Sequence, residues 1–173
     1  MRRKEIISLL VLAFSFAACH STEPNQSTAA APQTAVESKD ESGRTPLLRA
    51  IDAGETDTAR NLIAEGANVN AETASGVTSL MNAAGMGNKE VVELLIAKGA
   101  DVNHKTSGNY TALMQASLVG QTEIVKVLLE AGADPDVKDN AGRTAATWAE
   151  EKKHTEILAM LKQKSGESST GKK

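Results

Sequence analysis

Three histidines and one cysteine are the residues of this 173-residue chain best suited to metal binding or nucleophilic catalysis. His20, His104 and His154 are far apart, and no pair has the separation of a metal-binding motif. Cys19 has no partner base, and as the only cysteine it cannot form a disulfide within the chain. We therefore predict no catalytic residue, no metal site and no bound cofactor.

The acidic residues and glycines are numerous, but their positions favour structural roles. Asp101 and Asp134 fall where polar turns are expected, and most other carboxylates belong to solvated helix faces. The glycines recur at a regular interval, which explains them without a phosphate-binding loop. The sequence thus predicts a protein that is not an enzyme.

The N-terminal segment has the pattern of an export signal. Arg2, Arg3 and Lys4 precede an apolar run over residues 6–18, and a basic start followed by such a run is typical of a signal peptide. As a helix this run would reach only about 20 Å, whereas a hydrocarbon core is about 30 Å thick. Residues 1–18 are therefore predicted to be a signal peptide rather than a permanent membrane span.

The end of this segment, Phe16-Ala17-Ala18-Cys19, resembles the lipobox of bacterial lipoproteins. Phe16 departs from the aliphatic residue usual in that motif, and Ser15 with Ala17 also fits an ordinary signal peptidase. The resemblance implies a lipid anchor on Cys19 at the bacterial cell envelope, and His20 after it implies the periplasmic side of the outer membrane. The alternative is a soluble periplasmic protein.

The predicted mature chain is mildly acidic and begins with a polar tether. Removing residues 1–18 leaves 16 basic against 21 acidic residues, a net charge of −5, which argues against nucleic acid as the partner. Residues 19–42 are rich in small and polar side chains that cannot bury enough apolar surface to fold alone. We predict a lipidated cysteine and flexible tether over residues 19–42, and a disordered tail over residues 165–173.

A repeat of 33 residues organises the chain between the tether and the tail. Threonine, alanine and leucine each recur at this spacing four times, and glycine three times. The positions are Thr45, Thr78, Thr111 and Thr144; Ala50, Ala83, Ala116 and Ala149; Leu62, Leu95, Leu128 and Leu161; and Gly54, Gly87 and Gly120.

Each unit predicts two short helices and a polar turn. Thr78 is a cap-type residue before a helix with a small apolar face, and Gly87 ends that helix. A broader apolar face follows over residues 91–96, and Gly99 ends it. Since neither helix can bury its apolar face alone, the units must stack on one another.

The units resemble ankyrin repeats, with Gly43-Arg44-Thr45-Pro46-Leu47 and Gly76-Val77-Thr78-Ser79-Leu80 in place of the family's G-x-T-P-L motif. The resemblance implies an all-α ankyrin-repeat solenoid of four helix-turn-helix units over residues 43–164, joined by β-hairpin-like turns. The repeats fall at about 40–72, 73–105, 106–138 and 139–164. Two interior repeats are flanked by two capping repeats with polar faces, as solenoids require.

Two departures from the family pattern have structural consequences. Asn109 replaces the turn glycine, and because asparagine tolerates a positive φ we expect the turn to be kept. Leu48, Met81, Met114 and Thr147 replace the family's histidine, which removes side-chain hydrogen bonds between turns.

Ankyrin arrays bind partners with their turn tips and the concave face of their first helices, which implies a protein-binding surface here. Matching positions predict an apolar centre inside a charged rim, a pattern typical of protein interfaces. The centre is Val77, Met86, Tyr110, Leu118 and Val119, and the rim is Arg44, Asp52, Arg143, Glu151 and Lys152. The open alternative is that the apolar residues only pack against adjacent repeats.

The predicted function is therefore that of a protein–protein interaction module. We expect a membrane-tethered periplasmic adaptor or scaffold, held by Cys19 and monomeric in its repeat domain, that binds another protein. The alternatives are an inhibitor or immunity-type protein of a periplasmic enzyme, or a self-associating structural protein of the envelope.

Overall fold

The computed structural model describes residues 37–170, which form eight short α-helices. The helices come in four pairs, one for each predicted repeat, so the all-α fold is confirmed. They are α1 Pro46–Asp52 and α2 Thr56–Ala64, α3 Ser79–Met86 and α4 Lys89–Ala97, α5 Ala112–Val119 and α6 Thr122–Glu130, and α7 Ala145–Glu151 and α8 Thr155–Thr170. Over this range the β-type pairing is limited to one isolated bridge, between Glu72 and Thr78.

Each first helix of a pair begins at a threonine cap. The side-chain oxygens of Thr45, Thr78, Thr111 and Thr144 accept a hydrogen bond from the backbone N–H three residues further on. The hydroxyl satisfies a helix N–H that would otherwise lack a partner in a largely buried position. At α7 the Thr147 hydroxyl also accepts from the Thr144 N–H, which completes a capping box.

The helices are packed in two layers, and the array curves. Neighbouring first helices (α1, α3, α5, α7) approach one another more closely than neighbouring second helices (α2, α4, α6, α8) do. Side-chain size contributes to this difference, because one 33-residue row of the first helices is the buried alanines Ala50, Ala83, Ala116 and Ala149, whereas a matching row of the second helices is Leu95, Leu128 and Leu161. The first helices therefore lie on the concave side.

The core is continuous from the first repeat to the last. Leu95, Leu128 and Leu161 share one register of the second helices, and each is 0% exposed. Leu62 has the same register in α2 but is only partly buried, because no described repeat packs on its outer side. Truncating one of the buried leucines to alanine would cost about 2–5 kcal/mol.

Extended hairpin turns, which we call fingers, lead into the first helices at residues 40–44, 73–77, 106–110 and 139–143. In each finger the first residue donates its backbone N–H to the carbonyl of the fifth, at 2.9–3.0 Å. Gly43, Gly76 and Gly142 take a positive φ in three fingers, and Asn109 does so in the other with φ 58°. The prediction that Asn109 keeps the turn is confirmed.

A second set of links joins consecutive repeats through asparagine side chains. Asn70 Nδ2 donates to the Gly99 carbonyl at 3.0 Å, while its Oδ1 accepts from the Asp101 N–H at 2.8 Å. Asn103 repeats both bonds one unit later, with Gly132 and Asp134. We call this row of bonds the asparagine ladder.

The last helix is longer than the other second helices. α8 continues to Thr170, so residues 165–170, which were predicted to lie in a disordered tail, are helical. Ser165 stands in the register where Gly66, Gly99 and Gly132 end the earlier second helices, and it does not favour a left-handed turn. In the part of the chain that the structure describes, no helix has the length and apolarity needed to cross a membrane.

Candidate partner-binding surface

The predicted surface is assembled by matching positions on the concave side. Val77 and Tyr110 end the two inner fingers, while Met86, Leu118 and Val119 lie at the ends of α3 and α5. Because these residues repeat at 33-residue spacing, stacking brings them onto adjacent units of one face. The structure thus places the five apolar residues, which we call the apolar patch, at the two central repeats.

Met86 and Val119 are the most exposed members of the apolar patch. Met86 is 56% exposed and Val119 is 45% exposed, and they are the exposed large hydrophobic residues of the described chain. They occupy the same register of neighbouring first helices, α3 and α5. Met86 and Val119 therefore form an apolar strip that is open to solvent on the concave face.

The other three members of the patch are partly buried. Val77 and Tyr110 pack against the hydrophobic core from the fingers, and Leu118 is also only partly accessible. The packing interpretation therefore describes Val77 and Tyr110 better than it describes Met86 and Val119.

An aromatic cluster joins the third and fourth repeats next to the patch. Tyr110 and Trp148 meet edge to face with ring centroids 5.8 Å apart, and the Arg143 guanidinium lies 3.7 Å above the Trp148 ring. Such contacts stabilise by about 0.5–1.5 kcal/mol each. The Tyr110 hydroxyl and the Trp148 indole N–H are buried without a hydrogen-bond partner among the described residues.

Trp148 is not among the residues of the predicted surface. Its register is that of Arg49, Asn82 and Gln115 in the preceding first helices, none of which is buried. That shared register was the signal that could have included it. The Trp148 ring contacts both Tyr110 of the apolar patch and Arg143 of the rim, so it connects the two.

Arg143 is fixed by Asp139 at the base of its own finger. The Arg143 Nε and backbone N–H both donate to the Asp139 carboxylate at 2.9 Å, and the Ala141 N–H donates to the same group. Desolvation raises the pKa of Asp139, but these hydrogen bonds outweigh it, and the net pKa lies below the ordinary value. Burial raises the pKa of the Tyr110 hydroxyl to about 12, so it is neutral at physiological pH.

The rim at the first repeat is a polar network. Arg44 donates its Nε to Asp40 at 3.2 Å, and its Nη1 lies 3.6 Å from Asp52. The carboxylate of Asp52 also accepts from Asn82 Nδ2 at 2.5 Å, a bond that links the first repeat to the second. Arg44 and Asp52 are therefore held in place beside the apolar strip.

The rim at the fourth repeat is freely accessible. Glu151 and Lys152 are exposed where α7 ends. Lys153 follows with φ 62°, in the register where Gly54, Gly87 and Gly120 take the same left-handed conformation. Lys153 thus takes the place of the turn glycine in the fourth repeat, a role that its residue type does not predict.

The two histidines of the described residues, His104 and His154, have different neighbours. His104 Nε2 lies 2.8 Å from a Glu72 carboxylate oxygen, and His154 packs on Gly120 with its Nε2 3.3 Å from the Leu118 carbonyl. No group of three or more potential metal ligands occurs within residues 37–170. Cys19 and His20 lie outside the described residues, as do the predicted signal peptide and most of the predicted tether.

Two family models match this sequence, and together they cover most of the array. The model described as ankyrin repeats in three copies matches residues 4–106. The chain belongs to the ankyrin-repeat family. A second model, of ankyrin repeats in many copies, matches residues 95–149. No curated protein matches this sequence.

Ankyrin repeats are generally protein–protein interaction modules. They are typically not enzymes. The residues that replace the family's histidine have taken up other structural roles. Leu48, Met81 and Met114 are at most 4% exposed and extend the core, whereas Thr147 forms the capping box of α7.

Proposed function

We propose that this ankyrin-repeat protein is a membrane-tethered periplasmic adaptor that binds a partner protein across its concave face. The observation that carries the proposal is the exposure of Met86 and Val119 at one register of adjacent first helices. Isolated apolar residues are common on protein surfaces. Two in register, beside a supported aromatic cluster, form a strip that a partner can cover.

The surroundings of the strip support a protein partner rather than a small molecule. The concave face is open and bordered by fixed charged side chains, Arg44 at one end and Arg143 at the other. Protein interfaces combine an apolar centre with a polar rim and favour tyrosine, tryptophan and arginine at energetically important positions. Tyr110, Trp148 and Arg143 supply those three residue types in one cluster.

The location is proposed from the sequence pattern at residues 1–19. A lipid anchor on Cys19 would hold the array at the envelope, and a soluble periplasmic form is the outcome if the cysteine is not modified. Intact-mass measurement of the mature protein from native membranes decides between them. Cleavage before Cys19 with added acyl mass supports the anchored adaptor, whereas an unmodified soluble species contradicts it.

The binding test compares the partner affinity of two variants, each with one added negative charge on a different side of the array. Val119→Glu puts a carboxylate in the apolar strip, while Asn61→Glu puts one on an exposed position of a second helix. For a partner identified by cross-linking in cells, we expect Val119→Glu to weaken affinity by about tenfold or more. Asn61→Glu should leave affinity unchanged.

Both variants must first show wild-type thermal unfolding, which separates lost binding from lost folding. Equal affinity of the two variants for the partner would contradict the concave-face proposal. If only Asn61→Glu loses binding, the partner binds the second helices rather than the concave face.

A further inference from the structure

The first repeat has an open cleft on the outer side of α1 and α2. It encloses about 400 Å³ and is lined by Pro46, Arg49, Ala50, Ala53, Glu55, Thr58 and Leu62. We call it the end cleft. It lies on the stacking face of the repeat, so its occupant is a question separate from the concave-face partner.

The inner repeats show what this surface normally contacts. One repeat later, the positions of Pro46, Ala50, Thr58 and Leu62 are taken by Ser79, Ala83, Val91 and Leu95, all 0–1% exposed beneath the first repeat. In the first repeat, Thr58 is exposed while Pro46 and Leu62 are only partly covered. The end cleft is therefore a stacking surface that no described repeat covers.

The chain approaches this end of the array as a preceding repeat would. Glu37 Oε1 accepts from the Asn68 N–H at 2.7 Å, which is the bond that Asn70 and Asn103 make to the following turn in the asparagine ladder. Glu37 lies 33 residues before Asn70, so the repeat register continues upstream of the first finger. Lys39 adds a bond from Nζ to the Glu72 carbonyl at 3.1 Å.

The residues before Glu37 are uncharged and long enough as a segment to fill the end cleft. Residues 29–36 read Ala-Ala-Ala-Pro-Gln-Thr-Ala-Val and carry no charge. Val36 has the register of Val69, which is 8% exposed, and Ala29 has the register of Leu62. Eight residues can span up to about 26 Å, and α2, with nine residues, is only about 14 Å long.

The match to ankyrin repeats also begins before the first described helix, at residue 4. We propose that residues 29–36 pack in the end cleft as an incomplete leading repeat and cap the array. Residues 19–28 are then the free tether, and the N-terminal end of the array is the end nearest the anchor.

Hydrogen exchange on the full mature chain with Cys19→Ser, which removes the lipid, tests the proposal. Backbone amides of residues 29–36 should exchange at least about tenfold more slowly than those of residues 20–28. Thr58→Arg, which fills the cleft from an exposed position, should abolish that difference. Asn61→Arg, on the same helix but outside the cleft lining, should preserve it.

Three results would overturn the cap. Equal exchange in the two segments shows that residues 29–36 are not held, and slow exchange that survives Thr58→Arg shows that they are held elsewhere. Protection that rises with protein concentration, together with a dimer in sedimentation, shows that a second copy covers the cleft instead. Unfolding midpoints measured alongside confirm that Thr58→Arg and Asn61→Arg both fold.

Discussion

The inner and outer fingers share one backbone hairpin but use different side chains to hold it. In the inner fingers, Thr73 and Thr106 accept the N–H of the fifth residue through a neutral hydroxyl at 3.1 Å. In the outer fingers, Asp40 and Asp139 accept the same N–H through a carboxylate and also bind the arginine side chain.

This difference matches what the fifth residue of each finger does. Val77 and Tyr110 pack on the core, so a hydroxyl that satisfies the backbone is sufficient. Arg44 and Arg143 carry charge to the rim, and a carboxylate holds them in a defined orientation. The division of the concave face into an apolar centre and a charged rim is thus set within the fingers.

The first helix of each inner repeat ends at a left-handed glycine, whereas the corresponding residue of the outer fourth repeat is Lys153. Among changes at these positions, changing Gly120 in the third repeat should have the largest effect. Gly120 has φ 90°, and an added Cβ would lie 2.6 Å from the His154 ring. Gly120→Ala combines backbone strain with displacement of His154 and should lower the free energy of unfolding by about 2 kcal/mol or more. Urea denaturation measures this loss.

Gly132→Ala is the matched control. Gly132 has φ 88° but open space around its Cβ position, so only the backbone strain applies. If the two alanine variants lose equal stability, the contact between repeats at His154 contributes nothing.

The opposite change at the outer repeat should be stabilising. Lys153 adopts φ 62° where the inner repeats have glycine, and Lys153→Gly should raise the free energy of unfolding by about 1 kcal/mol by removing that strain. Lys152→Gly, at a neighbouring exposed position with φ −92°, should instead lower it. A destabilised Lys153→Gly variant in the same denaturation assay would contradict the strain interpretation.

The smallest expected effect is the response of the outer fingers to acid. The pKa of Asp139 is lowered in the folded protein, so its contribution to stability is complete above the unfolded pKa of about 3.9. That contribution is lost as pH falls through the lower pKa of the folded state. Asp139→Thr, which copies the inner fingers, should reduce the loss of stability between neutral pH and about pH 3.

Thermal unfolding as a function of pH measures that slope. Glu65→Thr removes an exposed carboxylate that has no bonded partner within the described chain, and it should keep the wild-type slope. The carboxylate interpretation fails if Asp139→Thr unfolds with the same pH dependence as the wild type.

The sequence predicts the features that depend on repetition and local geometry. Thr78 caps α3 and Asn109 keeps its turn, because capping and a positive φ are decided by the residue type at one position. The four helix pairs follow from the 33-residue period, because each copy of the pattern predicts the same two helices. These features need no knowledge of how distant residues pack.

What the sequence misses depends on contacts between repeats or on the absence of a signal. Trp148 is missing from the predicted surface because its contact with Tyr110 crosses from one repeat to another. The helical segment before Thr170 was predicted to be disordered because polar composition says little about a helix that continues from a packed one. The degree of burial that separates Val77 from Met86 also depends on stacking.

The asparagine ladder sets where the array can grow. A tandem duplication of residues 73–105 would carry its own Asn103 amide, with the donor and acceptor needed to join the unit that follows it. The next position of the asparagine ladder is Asp136, whose carboxylate cannot donate a hydrogen bond. The turn carbonyl that would accept such a bond is also missing, because α8 continues as a helix to Thr170. Duplication of an inner repeat can therefore lengthen this protein, whereas a repeat added after α8 would lack the hydrogen bonds of the asparagine ladder.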